Sequence, residues 1–461
     1  MKKTPAQLRA DAVRIWQAGV DAVRSDVLVR SAMRIHGNCL TLGRDEEIAI
    51  DLNAVERVCV VGAGKAGAGM TAAVEEIFGE AWAARTELHG WVNVPADCVR
   101  ETRYIRLHAA RPAGVNEPRP EGVEGTRRIL ELVDSLGPND LCLCLISGGG
   151  SALMPAPVDG ISWEDKLAVT QFLSAAGANI RELNCVRKKL SAVKGGGLAA
   201  ASKAGRLVSL IISDVLGDPL DVIASGPTVR NTETALDALD VLYRYDARSA
   251  GIPERVFEVL QRTARSEQDV SADSKLTTAC GGPVDNLVIG NNATAVDAAG
   301  IEADRLGYAA AMTSAVELEG KAEQVAEHHV TMALRMREQP GVDCLITGGE
   351  PVVILAPKEI RGLGGRNQQL VLAAAAMLWE DGARDIAVLS GGTDGEDGPT
   401  DAAGAVCDAD VISRAKELGL DPNDFLRRND AYHFFDKLDA LVRCGPTDTN
   451  VCDLRVVLVA R

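Results

Sequence analysis

The sequence predicts two α/β domains, an N-terminal Rossmann-like doubly wound sheet followed by a second C-terminal α/β domain, with the functional site in the cleft between them. Three observations carry this. The chain has 461 residues, beyond the roughly 250–300 at which a single core stops growing. Short apolar runs alternate with helical patterns, the rhythm of right-handed βαβ units. Aromatics make up 3% against 46% hydrophobic residues overall, so the core rests on Val, Leu, Ile and Ala, as suits a parallel sheet covered by helices. The domains are expected at 1–270 and 285–461, parted by the polar, turn-rich stretch 263–285. A cleft between domains is the default place for a ligand.

Taken in order, residues 5–36 read as helix, with Leu8, Ala12, Ile15, Trp16 and Val20 at helical spacing. Residues 55–61 form a strand that runs into GAGKAGAGM and a helix. Strands follow at 88–94 and 141–146, with a helix at 124–136 between them. The second of these strands feeds SGGGSALM. After a helix at 163–176 comes a basic stretch ending in KGGG, then a strand at 207–212 that ends in SDVLGDP. The second half repeats the pattern with NLVIG, YAAAMTS, 342–346 before TGGEPVV, 386–389 before SGGTDGEDGPTDAAGA, and a last strand VVLVA.

Charge and composition narrow the function. The net charge of −16 argues against nucleic acid and against an anionic membrane surface as partners. The eleven cysteines include no CxxC pair and several sit in apolar runs, so reduced, buried thiols are expected. The first residues lack the apolar core of a signal peptide, and no apolar run approaches the ~18 residues of a membrane span. A cytoplasmic protein is expected.

Glycine loops at strand ends carry the chemistry. Gly62 and Gly64 belong to a GxGxxG turn between strand and helix, where backbone N–H groups favour an anion. The following strand does not end in an acidic residue for a ribose, which weakens a dinucleotide reading. Lys65 points a cation at whatever that turn binds. Ser147, Gly148, Gly149, Gly150 and Ser151 form a second loop able to fold its amides around a phosphate. Lys194 and Gly195 open a third, after the basic Arg187, Lys188 and Lys189. Asp214 follows a buried strand, where a carboxylate can take a hydroxyl proton or hold Mg²⁺, and Asp218 reads as a turn-former. Arg366 opens a helix, a mismatch with the helix dipole that a bound anion would relieve. Asp394, Glu396, Asp397 and Asp401 crowd one glycine loop, with Asp394 and Asp397 the expected Mg²⁺ ligands. Thr447, Thr449 and Asn450 form a further polar loop, and the six histidines show no metal spacing.

GAGKAG, LISGGGSALMPAP, KGGGLA, ISDVLGDPLDVIASGPTV, LITGGEPVV, GGRNQQ and LSGGTDGEDGPTDAAGA together resemble the class II glycerate 2-kinases, the MOFRL family once labelled hydroxypyruvate reductase. The resemblance runs from about residue 10 to the C-terminus and is weakest near 235–285. It implies ATP-dependent phosphorylation of D-glycerate at its 2-hydroxyl, with Mg²⁺, in a cleft between two α/β domains. The family's catalytic lysine, aspartate and arginine fall on Lys65, Asp214 and Arg366. The implied partners are D-glycerate and ATP, with a homodimer left open as the assembly. Two rival readings are a nicotinamide-dependent hydroxypyruvate reductase and a non-catalytic nucleotide or sugar-acid binding module.

Overall fold

Runs such as LCLCLI are apolar at every position because both faces of the strand they form are covered, and every one of those residues is buried. The computed structural model describes residues 2–115, 117–267 and 275–461. Its chain forms two units, Val29–Ile212 with Pro219–Ile289, and Met1–Leu28 with Ser213–Asp218 and Gly290–Arg461.

The first unit opens with a small antiparallel sheet of β1 (Met33–His36), β2 (Cys39–Leu42) and β3 (Ile48–Asp51). Its main sheet contains β4 (Val58–Ala63), β5 (His89–Pro95), β6 (Ile105–Arg111), β7 (Leu141–Ile146), β8 (Arg206–Ile212) and β9 (Val284–Gly290). They lie in the order β6-β5-β4-β7-β8-β9, and the pairings from β6 through β8 are parallel. Numbered by appearance this is 3-2-1-4-5-6, the order of doubly wound dinucleotide-binding sheets. Growth of the sheet reverses between β4 and β7. The loops after those two strands therefore flank the switch point, where such sheets bind ligands.

The second unit's sheet contains β10 (Ala310–Ser314), β11 (Cys344–Gly349), β12 (Ile386–Gly392), β13 (Gly404–Cys407), β14 (Leu441–Val442) and β15 (Asp453–Val459). The order is β10-β11-β15-β12-β13-β14. Only β10–β11 is parallel among its pairings. The last strand inserts antiparallel between β11 and β12, which sets Asp453 opposite both Gly349 and Gly392.

Several sequence expectations change. The first helix ends at Ala22, a second covers Ser25–Ala32, and β1 begins at Met33. Gly37 at φ 62° turns β1 into β2 through a two-residue hairpin, so the expected helix cannot reach His36. The boundary expectation of 1–270 and 285–461 also shifts. Helix Pro5–Ala22 packs on helix Asn292–Arg305 and on β12 and β15, where Trp16 donates its indole N–H to the Gly391 carbonyl at 3.2 Å. Its apolar stripe announced burial but not the surface that buries it. NLVIG completes the first sheet as β9 rather than starting the second. Of the expected linker, 268–274 lie outside the described residues, and Thr263 belongs to helix Glu254–Glu267.

None of the eleven cysteines is in a disulfide, and Cys280 and Cys444 are exposed rather than buried. Among the described residues no helix is long and apolar enough to cross a membrane.

Candidate functional site

At the switch point of the first unit the two glycine loops pack on each other. Ser147 Oγ accepts from the Ala66 N–H at 3.1 Å, and the Lys65 N–H donates to the Gly148 carbonyl at 2.9 Å. A Cβ on Gly64 would collide with the Ser147 hydroxyl, and one on Gly62 with the Leu145 carbonyl. Contacts inside the fold thus account for Gly62 and Gly64, two of the three glycines of the GxGxxG turn. The helix N-terminus behind it already faces a serine oxygen, which leaves a poorer seat for a dinucleotide pyrophosphate.

The Ser147–Ser151 loop is different. Gly149 sits at φ 78°, a left-handed conformation natural to glycine, and precedes the short helix Gly150–Leu153. Among the described residues the N–H groups of Gly148 and Gly149 donate to no protein acceptor. Beside Gly149 lie Arg111 Nη2, 3.1 Å from where its Cβ would stand, and the Lys65 Cγ at 3.8 Å. Two open amides next to an arginine and a lysine have the make-up of an anion nest. Arg111 ends β6 and is buried. Burial holds its pKa below the usual arginine value, against the pull of Asp97.

Further along the loop, Ser151 Oγ accepts from Lys194 Nζ at 2.6 Å and Arg187 Nη2 at 3.0 Å, and lies 3.0 Å from Ser225 Oγ. Ala224 and Ser225 both take positive φ; such strain in non-glycine residues clusters at functional sites. The KGGG loop works through its lysine. The Gly195 and Gly196 N–H groups are spent on the carbonyls of Ser225 and Gly226 at 3.0 and 2.8 Å. Gly195 therefore positions Lys194, and its amide is not offered to a phosphate as the sequence reading expected.

Lys194 and Arg187 face a cavity of about 590 Å³. Lys166, Trp163, Leu167, Pro155 and Glu117 also line it. The Lys166 ammonium is buried with no hydrogen-bond partner. Burial, then the nearby Arg187, pushes its pKa down to about 7. Burial also holds Lys194 far below the usual lysine value and lowers Arg187. Lys166 and Arg111 were missed in the sequence. The signal for Lys166 was a lysine three and seven residues before the buried Val169 and Leu173, on their stripe of the helix.

In the second unit, Arg366 opens helix Arg366–Met377. It donates to both oxygens of Asp453, from Nε at 2.7 Å and Nη2 at 3.0 Å, and from Nη1 to Glu350 Oε1 at 2.8 Å. Burial opposes its charge, but Asp453, with Glu350 and Asp397, outweighs that and raises its pKa above the usual arginine value. Asp397 caps the same helix: Oδ1 accepts from the Asn367 N–H at 3.0 Å and Oδ2 from the Gln368 N–H at 2.8 Å. The mismatch between Arg366 and the helix dipole is thus relieved by the protein's own carboxylates, and no ligand is required to explain it. Burial raises the Asp397 pKa to about 7.

Asp214 belongs to this unit. Its carbonyl accepts from the Cys452 thiol at 3.1 Å, and that sulfur lies 4.0 Å from Glu350 Oε2. The cluster thus joins Asp214 to the carboxylates that hold Arg366. Burial, then Glu350, Asp453 and Asp214, raises the Cys452 pKa, keeping it a thiol. Asp218, at φ 54°, accepts from Asn291 at 2.5 Å and is a turn-former as read. Asp394 Oδ1 accepts from the Glu396 N–H at 3.2 Å, and Asp401 is bound by Tyr432 and Arg443. Among the described residues no three His, Cys, Asp or Glu groups gather with metal-binding geometry. Thr447 donates to the Thr393 carbonyl at 2.6 Å and Asn450 accepts from the Cys452 N–H at 3.2 Å, so that loop braces the SGGT turn. Glu350 and Asp453 were not singled out in the sequence. An acid and the buried Arg455 in an otherwise apolar strand were the signal for Asp453.

Two family models match the chain: a domain of unknown function, DUF4147, over residues 11–261, and the MOFRL family over 343–453. D-glycerate 2-kinase of Thermotoga maritima is 34% identical over 99% of both chains. A putative hydroxypyruvate reductase of Agrobacterium vitis is 40% identical, over 87% of this chain and 99% of its own. The crystal structure of a glycerate kinase from Thermotoga maritima superposes with a TM-score of 0.81 at 34% identity, covering 98% of this chain and all of the other.

Proposed function

Because the chain belongs to the MOFRL family of glycerate kinases, we propose that it transfers the γ-phosphoryl group of ATP to the 2-hydroxyl of D-glycerate, giving 2-phosphoglycerate and ADP. The observation that carries this is the match to D-glycerate 2-kinase along nearly the whole of both chains. Phosphoryl transfer asks a protein for positioning and charge neutralisation more than for covalent chemistry. The nest of Gly148 and Gly149 with Lys65 and Arg111 supplies the first unit's share. In the second unit Asp214 orients the hydroxyl and takes its proton, and Arg366, fixed by Asp453 and Glu350, meets an anion of the substrate with its remaining exposed face.

Mg²⁺ enters this reading as the counter-ion of the triphosphate, coordinated largely by phosphate oxygens. Asp397 does not fit as a ligand, since N–H donors take both of its oxygens. Asp394 remains the candidate from the expected pair. Cytoplasmic location and a homodimeric assembly stay part of the proposal.

A second reading, hydroxypyruvate reduction by a nicotinamide cofactor, draws on the Agrobacterium vitis relative's name and on the strand order of the first sheet. The purified protein with D-glycerate and MgATP, and separately with hydroxypyruvate and NADH, separates the two. Glycerate-dependent ADP release is expected. NADH oxidation without ADP release would reverse the assignment.

A further inference from the structure

The cavity beside Ser151 is built for more negative charge than glycerate carries. Three cationic side chains converge on it, and among the described residues none of Lys166, Arg187 and Lys194 has a carboxylate within ion-pair distance. Glu117, the acid in its lining, lies 3.8 Å from Arg119 instead. In a chain of net charge −16 this is a local reversal of sign. A buried ammonium with no partner is costly, and Lys166 Nζ is one. Such a group persists where a ligand supplies what the fold withholds.

Size and lining add to charge. A volume of about 590 Å³ is in the range of pockets for drug-sized ligands, far larger than a three-carbon acid needs. Trp163, Leu167 and Pro155 give it an apolar wall beside the cations, the pairing that a planar base with a phosphate chain requires. The open amides of Gly148 and Gly149 belong to the same loop as Ser151, so a phosphate chain has donors from one end of that loop to the other.

We propose that this cavity is the nucleoside triphosphate subsite, with the phosphate chain running from the nest past Ser151 to Arg187, Lys194 and Lys166, and the base against the wall of Trp163 and Leu167. The inference rests on the kinase reading and assigns its nucleotide to the SGGGS side of the switch point rather than to the GxGxxG turn. Lys166 acts here as a binding residue that the empty fold does not need.

That last property makes the test specific. Lys166→Met keeps the stem and removes the charge. It raises the melting temperature of the ligand-free protein while weakening MgADP binding, measured by calorimetry, by about tenfold or more. In steady state the KM for ATP rises by a similar factor and the KM for D-glycerate stays within about twofold. Arg187→Gln provides a second variant with the same expected split. An unchanged MgADP affinity in both variants, or a rise in the KM for glycerate alone, would overturn the proposal. A wild-type protein that binds MgADP in this Lys166-dependent way but turns over no glycerate would sink the kinase reading and leave the subsite standing.

Discussion

Arg366 in the second unit spends its guanidinium on Asp453 and Glu350, whereas Lys166, Arg187 and Lys194 in the first unit meet no carboxylate among the described residues. Arg366 opens a helix after two glycines and Lys194 precedes three, and sequence alone does not tell these two cations apart. A paired arginine is a rigid tool whose charge the fold has already balanced. Unpaired buried cations are a site that ligand must balance. The first therefore couples function to stability, and the second sets them against each other.

The largest effect expected is at Arg366. Arg366→Ala leaves Asp453, wholly buried, with the Asn367 amide at 2.9 Å but no positive charge. Turnover falls by about 10²–10³-fold and stability by about 3–5 kcal/mol, read from initial rates and chemical denaturation. Arg366→Lys does not rescue, because a single ammonium cannot reproduce the forked pair. Lys65→Ala lowers kcat by roughly 10²-fold. A stability loss in Lys166→Met as large as that in Arg366→Ala would erase the contrast between units.

Asp397 sharpens the comparison from the other side. Asp397→Asn weakens the cap of helix Arg366–Met377 and costs about 1–2 kcal/mol. The Mg²⁺ concentration giving half-maximal rate is expected to stay put; a tenfold rise would restore Asp397 as a metal ligand. The smallest effect concerns pH. Burial depresses the Lys166 pKa to about 7, so above that pH the free cavity holds a neutral amine that must take up a proton as a polyanion binds. Lys194, Arg187 and Glu117 face the same space, and the depressed Lys194 acts in the same direction. Through Lys166 alone MgADP affinity therefore falls by up to about tenfold from pH 6 to 8, with net proton uptake seen as a buffer-dependent binding heat. An affinity that rises with pH would contradict this.

Strand positions in the first sheet were legible because buried parallel strands are continuous apolar runs, and LCLCLI became β7 at the residues expected. The loops that carry charge were legible for the same reason, since glycines punctuate those strand ends. Partnerships were not. Nothing local in RNQQ announces that Asp453, 87 residues away, holds the arginine, or that Asp397 caps its helix instead of holding a metal. The glycines of GAGKAG looked like room for a ligand, and they turned out to be room for Ser147 and the Leu145 carbonyl. Long-range contact decides such cases, and a single sequence records only the need for a small residue. Lys166 shows the converse: its place on a buried helical stripe was visible, but its meaning depended on Arg187 and Lys194 arriving from elsewhere in the chain.

The most direct measurement is the identity of the product. D-glycerate and MgATP are incubated with the wild-type protein and coupled to enolase alone, without phosphoglycerate mutase. Phosphoenolpyruvate is expected at the rate of ADP release, because the phosphoryl group goes to the 2-hydroxyl. Phosphoenolpyruvate that appears only after mutase is added, or no ADP release at all, would contradict it.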